Sequence, residues 1–250
     1  MPSVPLRFLS LLLLICCQFV LPYRIGRKRA STGAQIPRRN RYLGAMSLIV
    51  VQTMVVLIIG LANSLKMLGS RHIELNVSLF AAGFLILNMC FIDPVEWKYT
   101  SPEIKNRILN FLPHNSRERL AWVPVSLVIS ISEELAYRAV FFGLLYSLTR
   151  SYWGAAIISS VLFALAHRKY GLTAVGVMLF VGLGLQWCVY LSGGLYVSIG
   201  IHFLHNLING LVYGWGLRDG PEAGMSPALD RGPAMAQSFA GERQNGKGSL

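Results

Sequence analysis

The stretch SEELAYR, residues 132–138, lies between AWVPVSLVIS (121–130) and AVFFGLLYSL (139–148), neither of which holds a charged residue. Glu133 and Glu134 are adjacent, and Arg138 follows Glu134 by four positions. An ionisable side chain at membrane depth costs about 2.5–3.5 kcal/mol on insertion scales, so three together imply an interior-facing group with a purpose. Whether these residues sit in a membrane helix therefore decides the fold.

Composition says that they do. Of 250 residues, 54% are hydrophobic and only 14% charged, and the mean hydropathy is +0.51. Soluble domains carry about 25% charged residues. About 20 apolar residues cross a bilayer core, and that rule places spans at 5–23, 42–63, 75–92, 119–148, 151–167, 172–191 and 194–215. The expected fold is all-α, a polytopic membrane helix bundle of about seven transmembrane helices. The first segment reads as a retained span rather than a cleaved signal, because no small-x-small site follows it. The fourth is too long for a simple crossing and carries Pro124 near its start.

The basic residues test this layout. The net charge of +12 does not point to nucleic acid, because Lys and Arg fall between apolar segments. Eighteen of the 23 lie in alternate loops on one side, four lie on the other, and Arg138 lies within a span. By the positive-inside rule the N-terminus is outside and the C-terminus cytoplasmic, in a plasma-membrane-like setting. Residues 218–250 are rich in Gly, Pro, Ala and Ser and read as a disordered tail. The expected division is thus 1–75, N-terminal helices with a basic loop, then 76–217, the helix bundle with the charged stretch, then 218–250. The four cysteines lie in apolar segments without C-x-x-C spacing, so they read as small buried hydrophobes.

Glu134 and Arg138 have the i, i+4 spacing and orientation of a helical ion pair. A buried Glu–Arg clamp alone leaves Glu133 unmatched, about 100° around the helix. Histidines are the candidate partners. His167 closes the fifth span, with Phe163 one turn before it, and His202 lies in the seventh with Asn206 at i+4. His205 and Asn209 repeat that spacing on a rotated face. His72 and His114 fall in loops. Among the 11 acidic residues, only Glu133 and Glu134 fall well inside an expected span.

EELAYR, FALAH and HFLHN, in that order and each within an apolar helix, resemble the E-E-x-x-x-R, F-x-x-x-H and H-x-x-x-N/D motifs of the CPBP family. These are CAAX proteases and bacteriocin-processing intramembrane enzymes, including the Ras-converting enzymes. The resemblance covers roughly residues 114–215. It implies that Glu133 is the catalytic acid, accompanied by Glu134 and Arg138. His167 would join Glu133 in activating water, and His202 with Asn206 would stabilise the oxyanion. The implied activity is an endopeptidase acting on a membrane-associated substrate, with lipid as the other partner.

No cofactor is firmly implied. Zinc remains an alternative, with Glu133, His167 and His202 as its ligands, although the H-E-x-x-H pattern is missing. Two other readings stand beside the enzyme. One is a non-catalytic scaffold of the same fold, which has no need for His202 and Asn206. The other is a proton-coupled transporter, which predicts inverted repeats that the sequence lacks. One join is open. His167 adjoins Arg168–Lys169 at a membrane boundary, whereas Glu133 lies about 14 residues into its segment, so a straight crossing would separate them.

Overall fold

The computed structural model describes residues 3–25, 38–69 and 74–216, so the expected disordered tail, His72 and most of the first basic loop lie outside the described residues. The described residues form helices without a named strand. They are α1 (Val4–Ile25), α2 (Arg38–Ala62), α3 (Leu75–Tyr99), a short α4 (Pro102–Leu109), α5 (Ser116–Thr149), α6 (Tyr152–Ala166), α7 (Leu172–Ser192) and α8 (Tyr196–Gly216). The chain is a helical membrane bundle.

Among the described residues, five helices are long and apolar enough to cross a membrane: α1, α2 from Tyr42, α3, α5 and α7. The expected total of seven goes beyond these five. It would include α6, which is short at 15 residues, and α8, whose two His and two Asn lower its hydropathy. Large apolar side chains such as Leu12, Leu61, Leu79 and Phe91 stand exposed on the outside of the bundle, as lipid-facing groups do. The cysteines depart from expectation in the same way. Cys188 is buried, but Cys16 and Cys90 are exposed on the outer surface, where an apolar thiol costs nothing against lipid.

The core gathers around the middle of α5. Leu135–Phe141 is a π-helical segment in which all seven residues are buried. It packs with Leu14 of α1, Val56 and Ile59 of α2, Phe163 of α6 and Leu195 at the start of α8. A π-turn admits one extra residue into an α-helix and is frequent at functional sites. Here it directly follows Glu133 and Glu134, at the end of the regular α-helical part of α5.

α5 begins on a polar signal within its lead-in. Asn115 at the N-cap accepts from the Glu118 N–H (3.0 Å), and Glu118 reaches back to accept from the His114 N–H (2.7 Å), a reciprocal cap. His114, expected to be a loop residue without an evident partner, is also tied by its ring Nε2 to the Leu109 carbonyl (2.8 Å). From this cap α5 runs unbroken through Pro124 for 34 residues, about 51 Å at 1.5 Å per residue. That exceeds the ~30 Å hydrocarbon core, so α5 tilts or extends beyond it.

α3 also exceeds its expected bounds. The expected span 75–92 closes before Asp93–Pro94, but the helix continues to Tyr99 through a π-turn at Asn88–Ile92. Pro94 then occupies the first turn of the next α-helical segment, where its missing N–H leaves no donor unmatched. Asp93 is consequently a buried residue inside a membrane-length helix, and Glu96 is half-buried in the same helix. This corrects the expectation that Glu133 and Glu134 are alone among the acids in that respect.

Candidate active site

α5 and α6 form a hairpin that turns at Arg150, which adopts a left-handed conformation (φ 57°). Glu133 precedes Arg150 by seventeen residues and His167 follows it by seventeen. Two antiparallel arms of equal length, each about 25 Å at helical rise, bring both to one level. Tyr137 and Phe163, thirteen residues on either side of Arg150, confirm the register with ring centroids 5.3 Å apart. The excess length of α5 therefore lies at its N-terminal end, and the separation that a straight crossing threatened does not arise.

The two carboxylates have different surroundings. Glu134 is fully buried, and its Oε1 lies 3.1 Å from Arg138 Nη1 and accepts from His202 Nδ1 at 2.8 Å. Arg138 is 2% exposed. It reaches the Gly182 carbonyl of α7 (3.5 Å) and lies over the Phe163 ring, 4.2 Å from its centroid. Glu133 keeps 28% of its side chain exposed, with Oε2 3.5 Å from His202 Nε2. His202 thus stands between both acids, one per ring nitrogen.

His167 joins through Phe163. Its Nδ1 donates to the Phe163 carbonyl (2.9 Å), which fixes the tautomer and leaves Nε2 as a lone pair. The Phe163 ring lies 4.7 Å from the His167 ring and 6.1 Å, edge-on, from that of His202. Glu133 and His202 are both within electrostatic reach of His167. Asn206, one turn beyond His202, donates from Nδ2 to Ser130 Oγ (3.1 Å), and its carbonyl accepts from Trp122 Nε1 (3.1 Å). Of the six expected residues, four make direct contacts, His167 joins by way of Phe163, and Asn206 is held beside them by α5.

Residues 115–208 match the family model described as Type II CAAX prenyl endopeptidase Rce1-like. Residues 115–208 therefore carry an Rce1-like domain of the CAAX-protease family. No curated protein and no solved structure matches the chain. The Rce1-like domain opens on the Asn115 cap and takes in all six expected residues. It also holds residues that motif reading passed over. Ser130 and Trp122 seat Asn206, whereas Phe163, the first residue of the FALAH motif, gathers Arg138, His167 and His202 around one ring. The spacing of Ser126, Ser130 and Glu134 on one face of α5 was the available signal for Ser130.

The arrangement does not fit a zinc site. His202 has both ring nitrogens directed at carboxylates, and no three His, Cys, Asp or Glu side chains among the described residues converge as metal ligands. Beside the Rce1-like cluster lies a second polar group, whose acid sequence reasoning missed. Asp93 of α3 binds both His205 (Nε2 to Oδ2, 2.9 Å) and Asn209 (Nδ2 to Oδ2, 2.9 Å), the rotated pair on α8. The span boundary placed before Asp93–Pro94 hid it.

Proposed function

We propose that the protein is an intramembrane endopeptidase whose Rce1-like domain cleaves a peptide bond in a membrane-associated substrate, a prenylated C-a-a-X segment by the family's description. The single observation that carries this reading is the split between the two glutamates. Glu134 is sealed in an ion pair and a hydrogen bond, which frees the partly exposed Glu133 to meet water.

In the proposed reaction, water held between Glu133 and the free Nε2 of His167 attacks the scissile carbonyl carbon. Glu133 takes its proton as the C–O bond forms, a step for which a positioned base contributes about 10²–10⁴-fold. The oxyanion accepts from Asn206, whose amide has a second N–H beyond the one on Ser130, and from His202 acting as imidazolium through Nε2. Collapse breaks the C–N bond. As that bond breaks, Glu133 gives the proton it took from water to the leaving nitrogen, so a carboxylic acid and an amine leave, one water is consumed, and Glu133 is again a carboxylate. Glu134 and Arg138 touch no reacting atom in this scheme. They orient His202 and hold α5 to α7. With His167 next to Arg168–Lys169, the site opens toward the basic, cytoplasmic face.

The test is incubation of purified wild type and Glu133→Gln with a farnesylated C-a-a-X peptide, with and without a chelator. Cleavage by wild type in both conditions, with a loss of at least about 10²-fold in the variant, is expected. Full activity in Glu133→Gln removes the mechanism. A wild type that binds the peptide and leaves it intact supports the scaffold reading instead.

A further inference from the structure

α8 carries two i, i+4 pairs. His202 and Asn206 face α5, while His205 and Asn209, about 60° around the helix, face α3. Asp93 holds the second pair. Its carboxylate, on a residue 7% exposed, accepts from His205 Nε2 at 2.9 and 3.3 Å and from Asn209 Nδ2 at 2.9 Å. A buried carboxylate within a membrane-length helix is costly unless its donors are supplied, and here α8 supplies both.

α3 departs from regular geometry just where it makes this contact. The π-turn Asn88–Ile92 ends immediately before Asp93. Its extra residue rotates the C-terminal part of α3 by about 100°, so it sets which face of α3 carries Asp93. The cluster also borders a cavity of about 140 Å³, lined in addition by Glu96, Trp97 and Met178. Apolar packing of Val77 and Ala81 on Val197 and Ile201 joins α3 to the first half of α8, whereas at the level of the cavity the link is the Asp93 hydrogen bonds.

We infer that Asp93 is a positioning residue for the reaction proposed above. By holding His205 and Asn209 it sets the rotation of α8, and with it the aim of His202 and Asn206. The inference rests on the peptidase reading for its kinetic consequence, but the clamp has a consequence that needs no activity.

Both are measured on the full-length protein in lipid nanodiscs with the farnesylated peptide. Asp93→Ala lowers kcat about tenfold or more and leaves KM within about twofold, because misaimed donors cost transition-state binding rather than substrate binding. Asp93→Asn recovers to within about threefold, since its amide oxygen accepts from Asn209 while its N–H meets the other His205 tautomer. In parallel, NMR of ring-labelled histidine shows the His202 signal displaced in Asp93→Ala and restored in Asp93→Asn. If Asp93→Ala does not accumulate, Asn209→Leu removes half of the clamp and lowers kcat with the same split. An unchanged kcat and His202 signal in Asp93→Ala or Asn209→Leu overturns the inference, as does a loss that only tracks thermal unfolding. If wild type cleaves nothing, the peptidase reading fails, while the His202 signal still decides whether Asp93 sets α8.

Discussion

Glu133 and Glu134 are chemically identical neighbours that a helix points about 100° apart, and that angle gives them different surroundings. Replacing each separates them in measurement. Glu134→Gln leaves Arg138 and His202 without their buried anion, a type of change that costs about 3–5 kcal/mol. It is expected to lower the thermal unfolding midpoint in detergent, whereas Glu133→Gln, at a partly exposed position, leaves that midpoint within a degree or two (about 0.5 kcal/mol) and removes activity. Equal midpoints for the two variants would contradict the division. Ser130→Ala addresses Asn206 in the same way. Without the Ser130 oxygen, the Asn206 amide loses the bond that orients it, about 1 kcal/mol, and kcat is expected to fall about fivefold with KM unchanged. An unchanged kcat would show that the Ser130 bond does not aim the amide.

At the scale of elements, α5 and α8 bear on each other along most of α8, and two contacts set their spacing. His202 meets Glu134 at one level, and Trp122 crosses to the Asn206 carbonyl at another. Trp122 can do so because Gly210 leaves its indole room, and a Cβ there would collide with Nε1. Gly210→Ala is expected to displace the indole, destabilise the bundle by about 1–3 kcal/mol of overpacking and reduce cleavage. Restoration of both by adding Trp122→Phe would confirm that the collision is the cause. A stable, fully active Gly210→Ala would place the indole elsewhere. The α7–α8 turn is equally constrained. Gly69 has φ 70° and lies against Gly193, and the Leu195 N–H donates to the Leu68 carbonyl (2.9 Å), so non-helical backbone there is matched inside the protein.

Across the whole molecule, the hairpin at Arg150 places its turn about 25 Å from the level of Glu133 and His167. Arg150 and Lys169 therefore mark opposite ends of the bundle. Cysteines substituted singly at these positions, in a cysteine-free background, are expected to react with an impermeant maleimide from opposite sides of sealed vesicles. The Lys169 position should label from the cytoplasmic side. Labelling of both from one side would contradict a crossing between them and the sidedness read from the basic loops. α1 and α2 contribute Leu14, Val56 and Ile59 to the core that surrounds the π-segment of α5. Thr53 of α2 reaches Ser132 directly (2.6 Å). The N-terminal helices thus buttress the charged stretch, although the family match begins only at residue 115.

By itself the sequence determined that this is a helical membrane protein, and it named Glu133, Glu134, Arg138, His167, His202 and Asn206. Charges inside apolar runs are rare enough, and helical spacing regular enough, for local pattern to find them. Only the tertiary structure decided that Glu133 and His167 share a level, since that depends on where the Arg150 turn divides two arms of equal length. It alone revealed Asp93, because a π-turn carries a helix through a proline where composition suggests a stop. It also showed which glutamate is sealed and which is partly exposed. Burial is a property of what packs around a side chain, and no spacing along one chain segment encodes it.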